Sequence, residues 1–268
     1  RFRTAGGPFS GEVELREFDR PKVGGSAKGN VDLALIHSIF HLPSIDEVRG
    51  NLGIQTNFKL ATNPNGELAV DECNGQLELK NISLKLMADK RRFSEVNGRL
   101  FLRGNEAGIE NTSLKLGSSD VKLNGIFDNI FPYINGKGDL KTSVLVESKH
   151  LNVEDLGSTT KEMKIETGQV YSLPDNIQGE INLQIEKLRY GKHEFSHLIS
   201  KMNIEHRRLH FPQMSLVNAE GLLSGALIIE EKEPEKFILT TQIAGKNLKF
   251  KPLFKEWENF DQTVIREQ

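Results

Sequence analysis

VRGNLGIQTNFKL, residues 48–60, sets Gly50 between Val48 and Leu52, then alternates apolar and polar residues through Leu52, Ile54, Thr56, Phe58 and Leu60. A period of two is the mark of a strand with one dry and one wet face, because successive side chains point to opposite sides of a sheet. The opening phrase, an apolar residue on either side of x-Gly-x, recurs along the chain, and seven of its copies are FSGEV (9–13), VRGNL (48–52), CNGQL (73–77), VNGRL (96–100), LNGIF (123–127), IQGEI (177–181) and LSGAL (223–227). One such glycine reads as a turn residue. The series places glycines at or near strand starts in a repeating sheet, where a bulge, a positive φ or a close backbone approach calls for them.

The alternation runs on through most of the chain. It takes in Leu77 and Leu79, Leu100 and Leu102, Leu114 and Leu116, Val121 and Leu123, then Leu140, Thr142, Val144 and Val146. It continues with Ile181, Leu183 and Ile185, Leu209 and Phe211, and Phe237, Leu239, Thr241 and Ile243. None of these positions is charged; the charges fall on interleaved sites such as Lys59, Glu78, Arg103, Lys115, Lys122, Lys141 and Glu147. Asn65-Gly66 and the GSSD of 117–120 punctuate the runs as hairpin turns do.

A longer period overlies the short one. VESKHLNVEDL (146–156) matches IAGKNLKFKPL (243–253) at an offset of 97, KGNVDLALI (28–36) repeats the same apolar spacing 120 residues before the first of these, and RRFSEVNGRLFL (91–102) lies over HEFSHLISKMNI (193–204) at an offset of 102. The unit is about 100 residues of strands ending in a short helical element, and repeated supersecondary units of this kind stack into extended modules. The expected partition is 1–50 (partial), 51–156 and 157–254, with a short helix over 252–266 that Pro252 opens and Leu253, Trp257, Phe260 and Val264 pattern. The expected fold is mainly β: an elongated antiparallel repeat sheet with a few short helices. With too few helices to cover it, the sheet either packs on itself as a sandwich or curls into a trough.

Bulk properties narrow the function classes. A chain of 268 residues with 37% apolar and 27% charged residues is long enough and apolar enough to bury a core. A formal net charge of -2 lacks the basic excess by which phosphate-neutralising proteins bind, so nucleic acid is not an expected partner. The single cysteine, Cys73, excludes an internal disulfide framework and has no histidine and asparagine context for nucleophilic work. No apolar run approaches the ~18 residues that span a bilayer. The chain opens at Arg1, without an initiator methionine or a secretory segment, and reads as a fragment or a processed product.

Enzymatic signatures are few. HEFSH (193–197) fits the H-E-x-x-H pattern in which His193 and His197 hold zinc and Glu194 acts as base, but that chemistry needs a helix to bring residues i and i+4 to one face. The flanks alternate as strands do, and the repeat partner RFSE (92–95) has no histidine. His37 and His41, and His206 and His210, share the spacing and read as solvated strand pairs. GGPFSGE (6–12) lacks the lysine of a phosphate loop. Glu12 and Glu14 alternate with Val13 and Leu15 as a wet strand face does, and Lys90, Arg91 and Arg92 read as a hairpin tip. No catalytic residue, cofactor or metal is expected, and the chain reads as a non-enzyme.

The apolar face is therefore the candidate functional surface. It comprises Leu52, Ile54, Phe58, Leu77, Leu79, Leu100, Leu102, Leu114, Leu116, Val121, Leu123, Leu140, Val144, Val146, Ile181, Leu183, Ile185, Leu209, Phe211, Phe237, Leu239 and Ile243. An open trough with this lining would suit an acyl chain, at about 0.8 kcal/mol for each methylene buried. A filled interior would instead make a structural or scaffolding rod that binds protein at its edges.

The order of Gly-x-apolar strand, hairpin, strand ending in (V/I)-x-(S/G)-K-x-L, short helix and renewed Gly-x-apolar strand resembles the periplasmic repeats of the AsmA-like family of bridge-like lipid-transfer proteins. Val146–Leu156, Ile243–Phe254, LNGIF, and LPDNIQGEI (173–181) with its echo HLPSIDEVRGNL (41–52) carry the resemblance, which covers Gly29 to Phe260. It implies an inner-membrane-anchored periplasmic β-groove (a β-taco) that carries phospholipid or another acyl-chain lipid toward the outer membrane and meets inner- and outer-membrane envelope proteins. The chain stops before the family's closing strands.

Overall fold

The computed structural model describes residues 2–4, 7–17, 19–40, 45–62, 66, 68–87, 91–156, 172–234 and 236–256. The fold is mainly β. Fourteen strands run β1 (Phe2–Thr4), β2 (Gly7–Arg16), β3 (Lys22–Asp32), β4 (Ile45–Thr62), β5 (Leu68–Leu86), β6 (Arg92–Gly104), β7 (Glu106–Leu116), β8 (Ser119–Asp128), β9 (Leu140–Asn152), β10 (Ile177–Tyr190), β11 (His193–Glu205), β12 (Arg208–Asn218), β13 (Gly221–Glu233) and β14 (Lys236–Lys246). Neighbours in the chain are hydrogen-bonded neighbours in the sheet from β1 to β14, and the order does not close. Four short helices complete the described chain: α1 (Leu33–Phe40), α2 (Ile130–Ile134), α3 (Val153–Leu156) and α4 (Phe250–Glu256).

The chain divides into two compact units, one of residues 1–117, 122–144 and 176–178, the other of 118–121, 145–175 and 179–268. In the first, β3 to β7 form an antiparallel meander whose pairs are set by alternation. Its core is the cluster Val48, Ile82 and Val96, against which Leu33 of α1 and Ile45, Leu79, Leu84, Phe93 and Leu114 pack. Asp32 starts α1 by accepting the N–H groups of Ala34 (2.8 Å) and Leu35 (3.1 Å) through Oδ1, two of the donors a helix start leaves without partners.

In the second unit, β10 to β14 pair in the same antiparallel manner. Asn152 accepts the N–H of Glu154 at the start of α3. The Asp155 carboxylate on α3 receives the Ser118 N–H and hydroxyl and the Ser119 hydroxyl at 2.7–2.9 Å, pinning the helix to the GSSD turn.

The helix starts at Leu33, Val153 and Phe250 fall at the sequence offsets of 120 and 97. α4 begins at Phe250, two residues ahead of Pro252, which occupies the first turn, where a missing N–H costs nothing. The expected helical positions from Trp257 to 266 lie outside the described residues, as do Asn65 and His41. α2 has no sequence signature: five residues are too few to show a helical period. His37 lies on α1 rather than on a strand, and His206 sits in the β11–β12 turn with φ 43°.

Candidate functional site

Register decides which side chains share a face, because residues directly opposite one another in adjacent strands point the same way. In the first unit Val31, Leu52 and Leu79 stand in one cross-strand row. Ile54, Leu77, Leu100 and Ile109 form the next. Thr56, Gly75, Leu102 and Ala107 form the third, and Phe58 faces Cys73 in the fourth. The interleaved rows are polar, as in Asn57–Asn74–Arg103–Glu106 and Lys59–Glu72. One face of this meander is thus a continuous apolar surface. Leu52, Ile54, Phe58, Leu77, Leu100 and Leu102 are half-buried, Leu79 and Leu114 join the core beside α1, and Leu116, Leu140 and Val144 are buried. Leu123 is half-buried.

The second unit repeats the design. Ile204, Leu209, Ile229 and Leu239 share a row; so do Leu183, Ser200, Met214, Gly225 and Ile243; Phe211, Leu227 and Thr241 form another. Ile181 faces Met202, and Ile185, 3% exposed, faces Leu198. Val121 is buried and Val146 half-buried. Phe237 faces Glu231, whose buried carboxylate accepts the Ser172 hydroxyl (2.8 Å) and the Leu173 N–H (2.6 Å).

The seven motif glycines lie inside strands rather than at strand starts: Gly11 in β2, Gly50 in β4, Gly75 in β5, Gly98 in β6, Gly125 in β8, Gly179 in β10 and Gly225 in β13. Gly50 has φ +111° at the bulge between Arg49 and Asn51, where a Cβ would sit 2.7 Å from Ile82 Cα. Gly75 has φ +144°, and its Cβ would meet the Gln55 carbonyl oxygen and lie 2.6 Å from Thr56 Cα. Close passage of the neighbouring backbone is what the motif provides.

The asparagine that precedes three of these glycines has its own task. Asn74 Oδ1 accepts the Gly104 N–H (2.9 Å), Asn97 Oδ1 the Asn81 N–H (2.8 Å) and Asn124 Oδ1 the Asn111 N–H (2.8 Å). Asn81 and Asn111 are left-handed residues (φ 49° and 45°), and Asn81 lies at a break in strand register, where the ladder leaves an N–H unpaired. The Asn-Gly dipeptide in CNG, VNG and LNG is the sequence signal for this role, and periodicity alone does not reveal it.

The polar face is held by cross-strand ion pairs, among them Lys59–Glu72 (2.6 Å), Lys115–Glu95 (2.7 Å), Arg92–Glu47 (3.1 Å), Lys85–Asp46 and Lys201–Glu180. The Lys59 ammonium, followed by the Asn74 amide, holds the Glu72 carboxyl below its ordinary value of 4.5. Two shallow concavities of about 680 and 530 Å³ over β2–β5 draw most of their lining from the polar rows, including Glu12, Ser26, Asn57 and Asn74. A third, of about 570 Å³, is lined by Phe101, Arg103, Glu106, Gly108 and Ile126, among others.

HEFSH lies on strand β11, with His197 left-handed (φ 53°) at a bulge, so the helical face that zinc ligation requires is not formed. Among the described residues no three His, Cys, Asp or Glu side chains gather where they could hold a metal ion. Glu12 and Glu14 are exposed. Cys73 is buried, and burial pushes its thiol above the ordinary 9.0, opposed by a hydrogen bond with Thr56. No described helix is long and apolar enough to cross a membrane.

No family model matches the chain, and no solved structure matches it. Two curated relatives are similar to it, each named DNA ligase, from the NATL1A and NATL2A strains of Prochlorococcus marinus. Each is 22% identical over 269 residues, covering 94% of this chain and 34% of the relative. The chain spans about a third of the length of the curated relatives it matches.

Proposed function

We propose that the apolar sheet faces bind acyl chains, and that the chain is a β-groove module for phospholipid transfer and outer-membrane lipid homeostasis in a bacterial periplasm, within a protein anchored in the inner membrane. One observation carries this reading: the rows Ile54–Leu77–Leu100 and Leu52–Leu79, with Phe58 and Leu102, form a continuous dry surface whose members outside the α1 core stay half-exposed. Helices of four to eight residues are too small to cover such a surface. An acyl chain laid along it would gain on the order of ten kcal/mol before ordering costs. Sliding along apolar rows needs no cofactor and no catalytic residue, since the head group stays in water. The resemblance to the AsmA-like repeats supports the same reading.

Photo-crosslinkers at Phe58, Leu102, Leu183 and Leu239, presented with phospholipid vesicles, test it. Lipid adducts at these sites are expected. Their absence at all four, with the sites protected from solvent, would establish the alternative of a scaffolding rod that binds envelope proteins.

A second reading, contact with nucleic acid, comes from the name carried by the two similar proteins. Fluorescence anisotropy with nicked duplex DNA at low salt decides it: saturable binding that weakens steeply with salt would favour this reading over lipid.

A further inference from the structure

The dry face of the second unit ends in a carboxylate. On β13 Leu227 and Ile229 share that face with Phe211 and Thr241 and with Leu209 and Leu239, and the next position of the same parity is Glu231, opposite Phe237. The β13–β14 register runs unbroken from Leu222 to Glu231, so Glu231 stays on the apolar side. It is 5% exposed. A buried charge is costly unless hydrogen bonds replace the water it loses. Here the donors come from outside the sheet, since the Ser172 hydroxyl lies 2.8 Å and the Leu173 N–H 2.6 Å from Glu231 Oε2.

Residues 172–175 precede β10 and belong to no strand or helix. Their other ties run to the β11–β12 turn: the Pro174 carbonyl oxygen accepts the Arg207 N–H (3.3 Å), and the Asp175 carboxylate lies 3.9 Å from Arg207 Nε and from His206 Nδ1. The Arg207 carbonyl oxygen in turn accepts the Glu231 N–H (3.0 Å). The segment therefore crosses one end of the apolar face, from β13 to the β11–β12 turn. A short stretch outside the ladders, held at Glu231 and at Arg207, opens at lower cost than the strands beneath it. Its bonds to β13 fall on a side chain, so water can replace them without disturbing the ladder. Such bonds to an ionised acceptor are strong enough to hold the segment in place while the carboxylate stays dry.

We propose that residues 172–175 form a strap latched by Glu231 over one end of the second unit's apolar face, and that release of the latch opens that end to an apolar ligand. Closed, the strap bounds the rows Phe211–Leu227–Thr241 and Leu209–Ile229–Leu239. Open, the carboxylate returns to water and Ile229, the next residue inward on the same face, becomes reachable from that end. That the ligand admitted is an acyl chain rests on the function proposed above; the latch itself does not.

Hydrogen exchange on the 268-residue chain reports the latch directly. The Leu173 amide should be protected in the unaltered chain, exchange at least tenfold faster in Glu231→Ala, and keep part of its protection in Glu231→Gln, which still offers an oxygen. Access is measured with Ile229→Cys in a Cys73→Ala chain: an apolar maleimide should label it severalfold faster once Glu231→Ala is added. Ile185→Cys, at a position 3% exposed in the same unit, should label no faster. A Leu173 amide that exchanges freely in the unaltered chain, labelling of Ile229→Cys indifferent to Glu231→Ala, or equal acceleration at both cysteines would each overturn the proposal, the last by showing that the unit unfolds rather than opens. A photo-crosslinker at Leu209 with phospholipid vesicles separates the two claims. Adducts that rise with Glu231→Ala support both, and adducts that do not rise overturn the gate. No adduct in any variant, alongside faster labelling of Ile229→Cys, would end the acyl-chain reading and leave the latch standing.

Discussion

Asn97 Oδ1 accepts the backbone N–H of Asn81 at 2.8 Å across the β5–β6 pair, at a point where the register jumps from Leu79↔Gly98 to Ile82↔Val96. The bulge keeps Leu79 and Ile82 both turned toward the core cluster, and the amide side chain supplies the acceptor that the ladder lost. Asn97→Ala should cost about 1 kcal/mol of unfolding free energy, and Asn97→Asp part of that, because Asp keeps the acceptor but loses the amide N–H that the Glu95 carbonyl oxygen accepts at 2.8 Å. Urea denaturation of the two variants compares them directly, and equal losses would show that the acceptor is not what matters.

Gly75→Ala forces a side chain into left-handed backbone and against the Gln55 and Thr56 main chain. A loss of about 2–4 kcal/mol is expected. Gly136 also has a positive φ, +69°, but nothing lies within 4 Å of its Cβ position. Gly136→Ala should therefore cost only about 1 kcal/mol. Denaturation midpoints of the pair separate steric clash from backbone strain.

Glu14, Glu72, Glu180 and Glu230 have carboxyl groups held below the ordinary 4.5, first of all by hydrogen bonds with Arg16, Lys59, Lys201 and Lys232. A group whose folded pKa is depressed binds fewer protons folded than unfolded, so its contribution is present above the unfolded value and disappears as pH falls through the folded one. Stability should be level near neutrality and decline below about pH 4.5. Lys59→Met should flatten part of that decline. Urea midpoints from pH 3 to 7 check it, and 0.5 M salt should diminish the effect, since these pairs are exposed.

Cys73 should resist thiol reagents in the native protein, because it is buried and burial raises the pKa of its thiol. Labelling should be slow in buffer and complete in denaturant, at a native rate that follows opening of the β4–β5 pair. Fast labelling in buffer would show that this pair opens freely.

Leu77→Asp places a charge in the Ile54–Leu77–Leu100 row. Lipid capture at neighbouring Leu102 should fall severalfold. Gln76→Asp, on the polar face one residue away, should leave capture unchanged. Equal losses in the two variants would sever the link between capture and the apolar face.

Alternation was sufficient for much of this architecture. Period two in Leu52, Ile54 and Phe58, and again in Leu77, Leu79, Leu100 and Leu102, assigns faces before any coordinates are known, because side-chain direction in a strand is a local property. Repeat spacing also placed a short helical element after each run of strands, but it opened the last one at Pro252, whereas the chain turns helical at Phe250. The neighbour across the ladder is not local. Where Gly50 passes Ile82, which N–H Asn97 must satisfy, and whether Leu79 and Leu114 pack under α1 or stay on the half-exposed surface all depend on register. Register is set jointly by bulges and by contacts between residues far apart in the chain, and so it was decided only when the strands came together.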